Sequence, residues 1–251
     1  MSMAQNKQLI SKSPNSFIKK FLKFCYFIPS LIMCACGNGK SETATQNVQA
    51  KEDSAQTEQI PVTTNKIKTI LCFGDSITAG YGLDDTNDAF PALLQQKIDS
   101  LGVNYTVINS GLSGETSAGG KSRIDWILKQ DIAIFVLELG ANDGLRGVAL
   151  SETRSNLQFI IDVVQEKSED TTIVLAGMEL PPNMGQAYTK EFRQIYAELA
   201  QENQLEFIPF ILKDVGGIAL LNQSDGIHPT VEGHQIVANT VWEVLKPLVK
   251  E

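Results

Sequence analysis

Four short segments of the chain carry residue types that take part in acyl transfer. Ser76 lies in the run GDSITAG, directly after the apolar stretch 69–73, and the carboxyl end of a strand is a common position for a nucleophile. Gly114, in the run NSGLSGETS, offers a backbone N–H near a helix start, where negative charge is stabilised. Asn142, in the run ELGANDG, offers a side-chain amide. Each of these three segments, taken alone, would more often be an ordinary turn.

The fourth segment, DGIHP, places Asp225 three positions before His228. That spacing puts both side chains on one side of a helical turn or tight loop, so the carboxylate can accept a hydrogen bond from Nδ1–H and leave Nε2 as a base. The other histidine, His234, has no acid at the matching spacing, and we expect it on a helix surface. Two histidines and few cysteines form no spaced cluster of ligands, so no metal site is expected.

The segments lie between short β-rich runs that alternate with helical patterns, which is typical of βαβ units and a parallel sheet. We predict strands that are buried on both faces at 69–73, 105–109, 132–139, 172–176 and 206–209. Helices are predicted at 89–101, 120–130, 151–167, 187–204 and 229–249. Pro229 is expected in the first turn of the last helix, where proline is tolerated.

Five strands with helices on both faces make a three-layer αβα sandwich, and right-handed crossovers leave few topologies, such as the flavodoxin-like order 2-1-3-4-5. In that order, ligands bind at the carboxyl ends of strands 1 and 3. Ser76 and Asn142 follow those two strands, and Gly114 follows the neighbouring strand 2. The pair Asp225 and His228 precedes the last helix, which can return over the same edge. A nucleophile, an oriented base and oxyanion donors at one place define an acyl-transfer site.

The blocks GDS, Gly114, GxND at 140–143 and DxxHP at 225–229 resemble, in sequence and order, those of the SGNH (GDSL-type) hydrolases. The resemblance covers residues 67–249, and Ile77 stands where the GDSL name has leucine. The residues around the blocks are similar to the subgroup of acyl-CoA thioesterase I, lysophospholipase and arylesterase. The resemblance therefore implies the SGNH hydrolase fold and an esterase.

It also implies the roles of the site residues, without a cofactor. Ser76 would attack the ester, His228 would act as general base, and Asp225 would orient His228. The N–H groups of Ser76 and Gly114 and the side-chain amide of Asn142 would hold the oxyanion. Each such donor typically contributes about 3 to 4 kcal/mol to the transition state.

Other residues close to the blocks are expected to have structural roles. Asp75 and Asp143 should fix turns by accepting hydrogen bonds from backbone N–H groups. Arg146 could bind a carboxylate or phosphate of a substrate, but an exposed ion pair is the simpler expectation. Cys72 lies in an apolar run, and we expect a buried thiol without a catalytic role.

Apolar residues in the loops after strands 3 and 4 predict a groove for an acyl chain, formed by Leu145, Leu180 and Met184. Alternatively, these residues only pack the loops onto the domain. We expect lysophospholipids, aryl esters or acyl esters as substrates, with thioesters as a further candidate. An acetylesterase acting on O-acetylated glycans is the alternative function. A groove predicts rates that rise with chain length, because each buried methylene adds up to about 0.8 kcal/mol.

Three other functions share parts of this pattern. An α/β-hydrolase needs Gly-x-Ser-x-Gly, but Thr78 occupies the second glycine position and the chain offers a single strand before the serine. A flavodoxin-like carrier of FMN shares the fold but does not need the distant Asp-x-x-His. A non-catalytic surface lipoprotein that binds an ester ligand is disfavoured by the intact Ser76, Asn142 and His228.

The N-terminal segment predicts export and a lipid anchor. Lysines precede the apolar run 24–36, which is shorter than the roughly 20 residues of a membrane span and is typical of a signal peptide. An anchor that is never cleaved is the alternative. The run MCACG resembles a bacterial lipobox, with Cys36 as the lipidated residue and Cys34 as the second choice. Residues 1–36 are therefore interpreted as a lipoprotein signal peptide, and the protein is expected in the bacterial cell envelope, on the periplasmic or surface face.

Composition indicates the organisation of the remaining chain. Residues 37–65 are polar and contain no aromatic residue, so they cannot bury enough surface to fold and are expected to be a flexible linker. Residues 66–251 form one domain, which we expect to be monomeric. The net charge is −8, and the first 36 residues hold five lysines and no acid, so the rest carries −13. Such an acidic body is a poor partner for nucleic acid.

Overall fold

The computed structural model of the protein describes residues 66–250. The interpretations of 1–36 as a signal peptide, of Cys36 as the lipidated residue and of 37–65 as a linker lie outside the described residues and stay predictions. Within the described range, no helix combines the length and the apolar character that are needed to cross a membrane.

A central sheet of five parallel strands has the order 2-1-3-4-5, as predicted. Its strands, β1 to β5, are Lys68–Gly74, Tyr105–Gly111, Ile134–Glu138, Thr172–Ala176 and Glu206–Ile208. Strand β1 pairs with both β2 and β3, so the carboxyl ends of these three strands lie side by side. Strand β3 is buried along its whole length, which explains its continuous apolar run. The strand ends differ from the predicted ones by at most two residues.

Seven α-helices join and flank the strands within the described residues. In chain order, α1 to α7 are Ser76–Ala79, Phe90–Leu101, Ser117–Ile127, Ala141–Arg146, Leu150–Lys167, Gln186–Glu202 and Val231–Leu245. Short 3₁₀ helices occupy Thr86–Asp88, Pro182–Met184, Ala219–Leu221 and Lys246–Leu248. The sequence predicts the five longer α-helices but not α1 and α4, because helices of four and six residues are too short to show an apolar repeat.

Helices cover both faces of the sheet and complete the predicted three-layer sandwich. Helix α2 packs with α7, and α5 packs with both α3 and α6. Because such crossovers are right-handed, α2 and α7 belong to one face, and α3, α5 and α6 belong to the other. Cys72 of β1 is fully buried in the core. Burial, with a smaller effect of the charge of Glu138, raises the pKa of the Cys72 thiol to about 12, so this thiol stays protonated, as expected of an inert core residue.

The last helix starts two residues later than predicted. Thr230 is the N-cap of α7, and its hydroxyl accepts a hydrogen bond from Gly233 N–H at 3.3 Å. Pro229 therefore lies before the helix, and the prediction that placed it in the first turn is wrong. Pro229 forms an isolated antiparallel bridge with Asn222 instead. This bridge closes the loop 223–228, which carries the predicted Asp–His pair.

His234 is buried in the core, so its predicted position on a helix surface is wrong. It lies on the face of α7 that also carries Val241 and Leu245, and the apolar spacing of that face is the signal that places it inside. Its Nδ1 accepts a hydrogen bond from Phe90 N–H at 3.3 Å, at the start of α2. Burial, with a smaller effect of the charge of His228, lowers the pKa of His234 to about 4. The buried ring is therefore neutral at pH 7.

Candidate active site

The predicted nucleophile lies on a tight turn at the carboxyl end of β1. Ser76 is the first residue of α1, and Asp75 is the N-cap, with Oδ1 accepting a hydrogen bond from Ile77 N–H at 3.0 Å. Gly74 is needed because a Cβ at this position would lie 2.0 Å from Thr78 Oγ1. The N–H of Ser76 belongs to the first turn of a helix, where N–H groups have no acceptor within the helix. The turn therefore carries a hydroxyl and a backbone donor at the same residue.

The structure brings Ser76, His228 and Asp225 together in one chain of hydrogen bonds. His228 Nε2 lies 2.9 Å from Ser76 Oγ, and His228 Nδ1 lies 2.6 Å from Asp225 Oδ2. Burial alone would raise the pKa of Asp225, but hydrogen bonds from the His228 ring and from the N–H groups of Ile227 and His228 lower it to about 2. Asp225 is therefore ionised at neutral pH. Its charge favours the tautomer with the proton on Nδ1, which leaves Nε2 to accept from Ser76.

A second set of contacts holds the loop of His228 against the residues that follow α1. Gln223 donates its N–H to His228 O at 2.7 Å, and its Nε2 donates to Tyr81 O at 2.7 Å and to Pro229 O at 2.9 Å. The Tyr81 ring packs against the His228 ring, with 4.6 Å between centroids and 45° between planes. These contacts restrict the imidazole to the orientation that reaches Ser76.

The three predicted oxyanion donors line one cavity. Gly114 has a φ of +79°, a backbone conformation that favours glycine. Asn142 donates its side-chain amide to Asp75 Oδ2 and to Glu115 O, both at 3.0 Å. Both amide hydrogens of Asn142 therefore have acceptors within the protein. Asn142 can hold an oxyanion when one of these hydrogens leaves its present acceptor or is shared.

Arg146 does not form the predicted ion pair within the described residues. Its Nη2 donates to Gly114 O at 3.1 Å and lies 3.4 Å from Asn142 Oδ1. The prediction is wrong because Arg146 lies one turn after Asn142 on α4, where the guanidinium reaches the loop of Gly114. It therefore links two of the three predicted oxyanion donors.

A part-buried ion pair holds the segment that carries Gly114, and the sequence gives no signal for it. Arg123 donates Nε to Glu115 Oε1 at 2.6 Å and Nη2 to Ser110 O at 2.9 Å. The Arg123 guanidinium lies over the Phe73 ring, 4.0 Å from its centroid. The loop after β2 is thus attached to α3 and to β1.

Asp75 and Asp143 both hold turns, as expected. Asp75 caps α1 and accepts from Asn142. Asp143 accepts from Ser117 N–H at 2.7 Å and from the Ser117 hydroxyl at 2.5 Å, which joins the start of α3 to α4. The positions of Gly114 and Asn142 are consequently tied to each other through the helices that follow them.

A buried carboxyl pair lies beneath the Ser76 turn. Glu138 Oε2 accepts hydrogen bonds from Asp75 N–H at 3.1 Å and from Thr78 Oγ1 at 2.7 Å. Burial, followed by the charge of Asp75, raises the pKa of Glu138 well above its usual value, and burial raises the pKa of Asp75 to about 6. Glu138 is therefore the protonated member at neutral pH. The sequence signal for Glu138 is an acid at the end of an apolar strand.

No group of three or more His, Cys, Asp or Glu side chains among residues 66–250 is arranged to hold a metal ion.

An apolar cavity of about 640 Å³ opens beside Ser76. Leu145 and Leu180 line it, as predicted. Met184 does not line the cavity, so its predicted place in the groove is a misassignment: it ends a 3₁₀ helix and packs against the core. Further apolar lining, which the sequence does not predict, comes from Met178, Phe210, Leu212 and Ile227.

The sequence matches the GDSL-like Lipase/Acylhydrolase family over residues 72–236, a range that includes Ser76, Gly114, Asn142 and His228. The chain belongs to this family. Membership identifies an ester hydrolase and confirms the family that the four blocks indicate.

Relatives of this acylhydrolase match 72% of the chain. It is 39% identical over 183 residues to esterase TesA of Pseudomonas aeruginosa, covering 72% of this chain and 90% of that protein. It is 37% identical over 182 residues to the thioesterase 1/protease 1/lysophospholipase L1 of Escherichia coli, covering 72% and 85% of the two chains. A crystal structure of TesA superposes with a TM-score of 0.69 at 39% identity, covering 72% of this chain and 99% of that one. The predicted fold of the acylhydrolase is thereby confirmed.

Proposed function

We propose that this acylhydrolase cleaves carboxylic esters through an acyl-enzyme formed on Ser76. The observation that carries the proposal is the unbroken hydrogen-bond chain from Ser76 Oγ through His228 to Asp225, at 2.9 and 2.6 Å. A serine hydroxyl is a weak nucleophile until a neighbouring base accepts its proton, and His228 Nε2 is within reach to do so.

Acylation moves one proton and one acyl group. His228 Nε2 takes the proton from Ser76 Oγ while this oxygen forms a bond to the ester carbonyl carbon. The negative charge passes to the carbonyl oxygen, which the N–H groups of Ser76 and Gly114 and the amide of Asn142 stabilise. His228 then gives its proton to the leaving oxygen, and the bond between the acyl carbon and that oxygen breaks.

Deacylation repeats these steps with water. His228 Nε2 takes a proton from water while the water oxygen attacks the acyl carbon. The tetrahedral intermediate then releases Ser76 Oγ, which regains a proton from His228, and the free acid leaves. Asp225 stays ionised throughout, because its pKa is near 2, and stabilises the charged imidazole.

The test of this mechanism compares two serines of the same cavity. Ser76→Ala should lower kcat by about 10⁴-fold or more, and His228→Ala should do the same, because neither variant can form the acyl-enzyme in this way. Ser113→Ala removes a hydroxyl from the same cavity and should keep kcat within a few-fold. An organophosphonate should label Ser76. Labelling of another residue, or an active Ser76→Ala variant, would contradict the mechanism.

The cavity supports the proposal that the substrates carry acyl chains longer than acetyl. Such chains occur in lysophospholipids and can also occur in aryl esters. The apolar lining of the cavity offers each added methylene up to about 0.8 kcal/mol, nearly fourfold in kcat/KM. Rates on p-nitrophenyl esters should therefore climb from acetyl to about octanoyl. Leu145→Ala should slow the long esters more than the short ones, whereas Met184→Ala, outside the cavity, should not. A maximum at acetyl would favour an acetylesterase of glycans and leave the serine mechanism intact.

Export with a lipid anchor at Cys36 is part of the proposal and rests on the sequence alone. In bacteria fed a labelled fatty acid, the full chain should carry the label and partition with membranes. Cys36→Ser should remove the label and Cys34→Ser should keep it. The reverse result would assign the anchor to Cys34, and an unlabelled parent chain would contradict the anchor.

A further inference from the structure

Exposed apolar side chains are concentrated around the opening of the Ser76 cavity. Ten large apolar residues are exposed among the described residues, and six of them lie in the segments around this opening, which are loops, α4 and the 3₁₀ helix Ala219–Leu221. These six, which we call the rim, are Tyr81, Leu112, Leu145, Ile218, Leu220 and Ile227.

The place of the rim follows from the residues that line the cavity. Tyr81, Leu145 and Ile227 are lining residues themselves. Each of the other three rim residues lies within two positions of a lining residue. Leu220 is the most exposed of them, with 88% of its surface accessible. The rim thus belongs to the same chain segments that form the cavity.

Two of the four exposed apolar residues outside the rim are partly covered by lysine side chains. The ammonium group of Lys129 lies 5.2 Å from the ring centroid of Trp126 on α3, and that of Lys121 lies 4.7 Å from the ring centroid of Phe159 on α5. Single exposed apolar side chains are ordinary in soluble proteins, whereas a group of neighbours marks an interaction site. The rim is therefore the apolar surface for which a partner is expected.

We propose that the rim docks onto a zwitterionic lipid surface that holds the ester substrate. The proposal rests on the proposed ester hydrolysis, because the cavity inside the rim then receives an acyl chain. When the rim enters the lipid, the chain passes from the lipid into the cavity without exposing its methylenes to water. A protein seated on the rim would instead close the route to Ser76.

The charge of the domain selects the kind of lipid. Residues 66–250 contain 14 Lys and Arg and 24 Asp and Glu, which gives a net charge of −10. Anionic lipid surfaces attract clusters of basic residues and repel an acidic body. A zwitterionic surface carries no such penalty, so the apolar contact of the rim decides binding there.

The test compares a rim variant with a matched surface variant. The rim variant carries Leu112→Ser, Ile218→Ser and Leu220→Ser, and none of these residues lines the cavity. The control carries Trp126→Ser and Phe159→Ser, which remove exposed apolar surface from α3 and α5. All proteins are the full chain with the same leader, so differences between them report the domain surface.

Binding is measured by flotation with phosphatidylcholine vesicles, with Cys34 and Cys36 replaced by Ser in every protein so that no lipid anchor contributes. The rim variant should bind about tenfold or more weakly than the parent, because it loses three apolar side chains that enter the lipid. The control should bind like the parent. Equal binding of the rim variant and the parent, or an equal loss in the control, overturns the proposal.

Kinetics distinguish this proposal from the ester hydrolysis on which it rests. Rates are measured on soluble p-nitrophenyl butyrate and on micellar lysophosphatidylcholine. The rim variant should keep the soluble rate within about twofold and lose about tenfold on micelles. Hydrolysis of neither substrate by the parent contradicts the proposed function, while rim-dependent vesicle binding still supports docking. If the rim variant loses rate equally on both substrates, or on neither, the docking proposal is overturned and the proposed ester hydrolysis is not.

Discussion

The buried His234 predicts a loss of stability in acid that one substitution should remove. Burial lowers the pKa of this ring to about 4, against an ordinary value of 6.5. Between these values the unfolded chain binds a proton that the folded chain does not, so the free energy of unfolding rises with pH across the window. This contribution to stability is complete above about pH 6.5 and is lost as the pH falls toward 4.

The size of the effect follows from the same two values. A fall of the pKa from 6.5 to about 4 corresponds to roughly 3 kcal/mol, of which about 2 kcal/mol is lost between pH 7 and pH 4.5. The carboxyl pair acts in the opposite sense. Because the pKa of Asp75 is raised from 3.8 to about 6, this acid lowers the stability as the pH rises through that window. A comparison between variants is therefore needed to isolate His234.

His234→Asn removes the titrating ring and keeps a side-chain acceptor for Phe90 N–H. Urea unfolding at pH 7 and pH 4.5 should show that this variant loses about 2 kcal/mol less than the parent over the interval. His228→Asn is the matched control, because the chain has two histidines, and it should keep most of the loss seen in the parent, since burial is the larger cause of the lowered pKa of His234. The kcat of His234→Asn should stay within a few-fold, since residue 234 does not line the cavity. An equal loss in His234→Asn and the parent would refute the assignment.

Substitutions at three further residues, with a control at Gly147, test the groups around Ser76. Glu138→Gln mimics the protonated acid, so the variant should keep its activity at pH 7 and should unfold at a higher urea concentration than the parent at pH 8. The difference in unfolding free energy should shrink toward pH 4, because both the folded and the unfolded parent then bind the proton on Glu138. Gly114→Ala, at φ +79°, should lower kcat about tenfold or more with little change in KM. The control is Gly147→Ala, at φ +69° and with open space around it, which should lower the stability alone. Tyr81→Phe keeps the ring and should keep kcat within about twofold. Tyr81→Ala loses the ring contact with His228 and should lower kcat about threefold to tenfold. Equal kcat in both variants would show that the ring does not position the imidazole.

The sheet could be predicted because its strands carry their own signal. β1, β3 and β4 are apolar runs that are buried on both faces, and the helices that alternate with them leave few topologies, of which the structure has the order 2-1-3-4-5. The two single-turn helices carry no such signal, since a helix of four or six residues shows no repeat. His234 illustrates a second limit: a polar residue suggested a surface, but the apolar spacing of α7 decided its position.

The site residues that were predicted lie in short blocks of particular spacing, and those that were missed act across the fold. Ser76, Asn142 and the Asp225 pair each follow a strand or precede a helix, so topology alone brings them to one edge. Glu138, Tyr81 and the contact of Arg146 with Gly114 depend on side-chain packing between distant segments. The position of Met184 could not be predicted for a similar reason. It ends the 3₁₀ helix Pro182–Met184, and the packing of that helix decides which of its side chains line the cavity.

The chemistry and the substrate preference are set by different parts of the molecule. The N–H of Asp75 donates a hydrogen bond to Glu138, and the Asp75 carboxylate accepts one from Asn142. The Ser76 turn is therefore fixed by groups at the carboxyl ends of the strands. These buried acids, with their raised pKa values, make the fold less stable at neutral pH than neutral groups would. The cavity walls come mostly from the segments that follow β3, β4 and β5, and apolar residues in their loops can change without moving the turn. The proposed hydrolytic mechanism thus depends on residues of the four blocks and on the buried Glu138 beneath them, whereas the proposed preferences for an acyl chain and for a lipid surface depend on the cavity walls and on the rim.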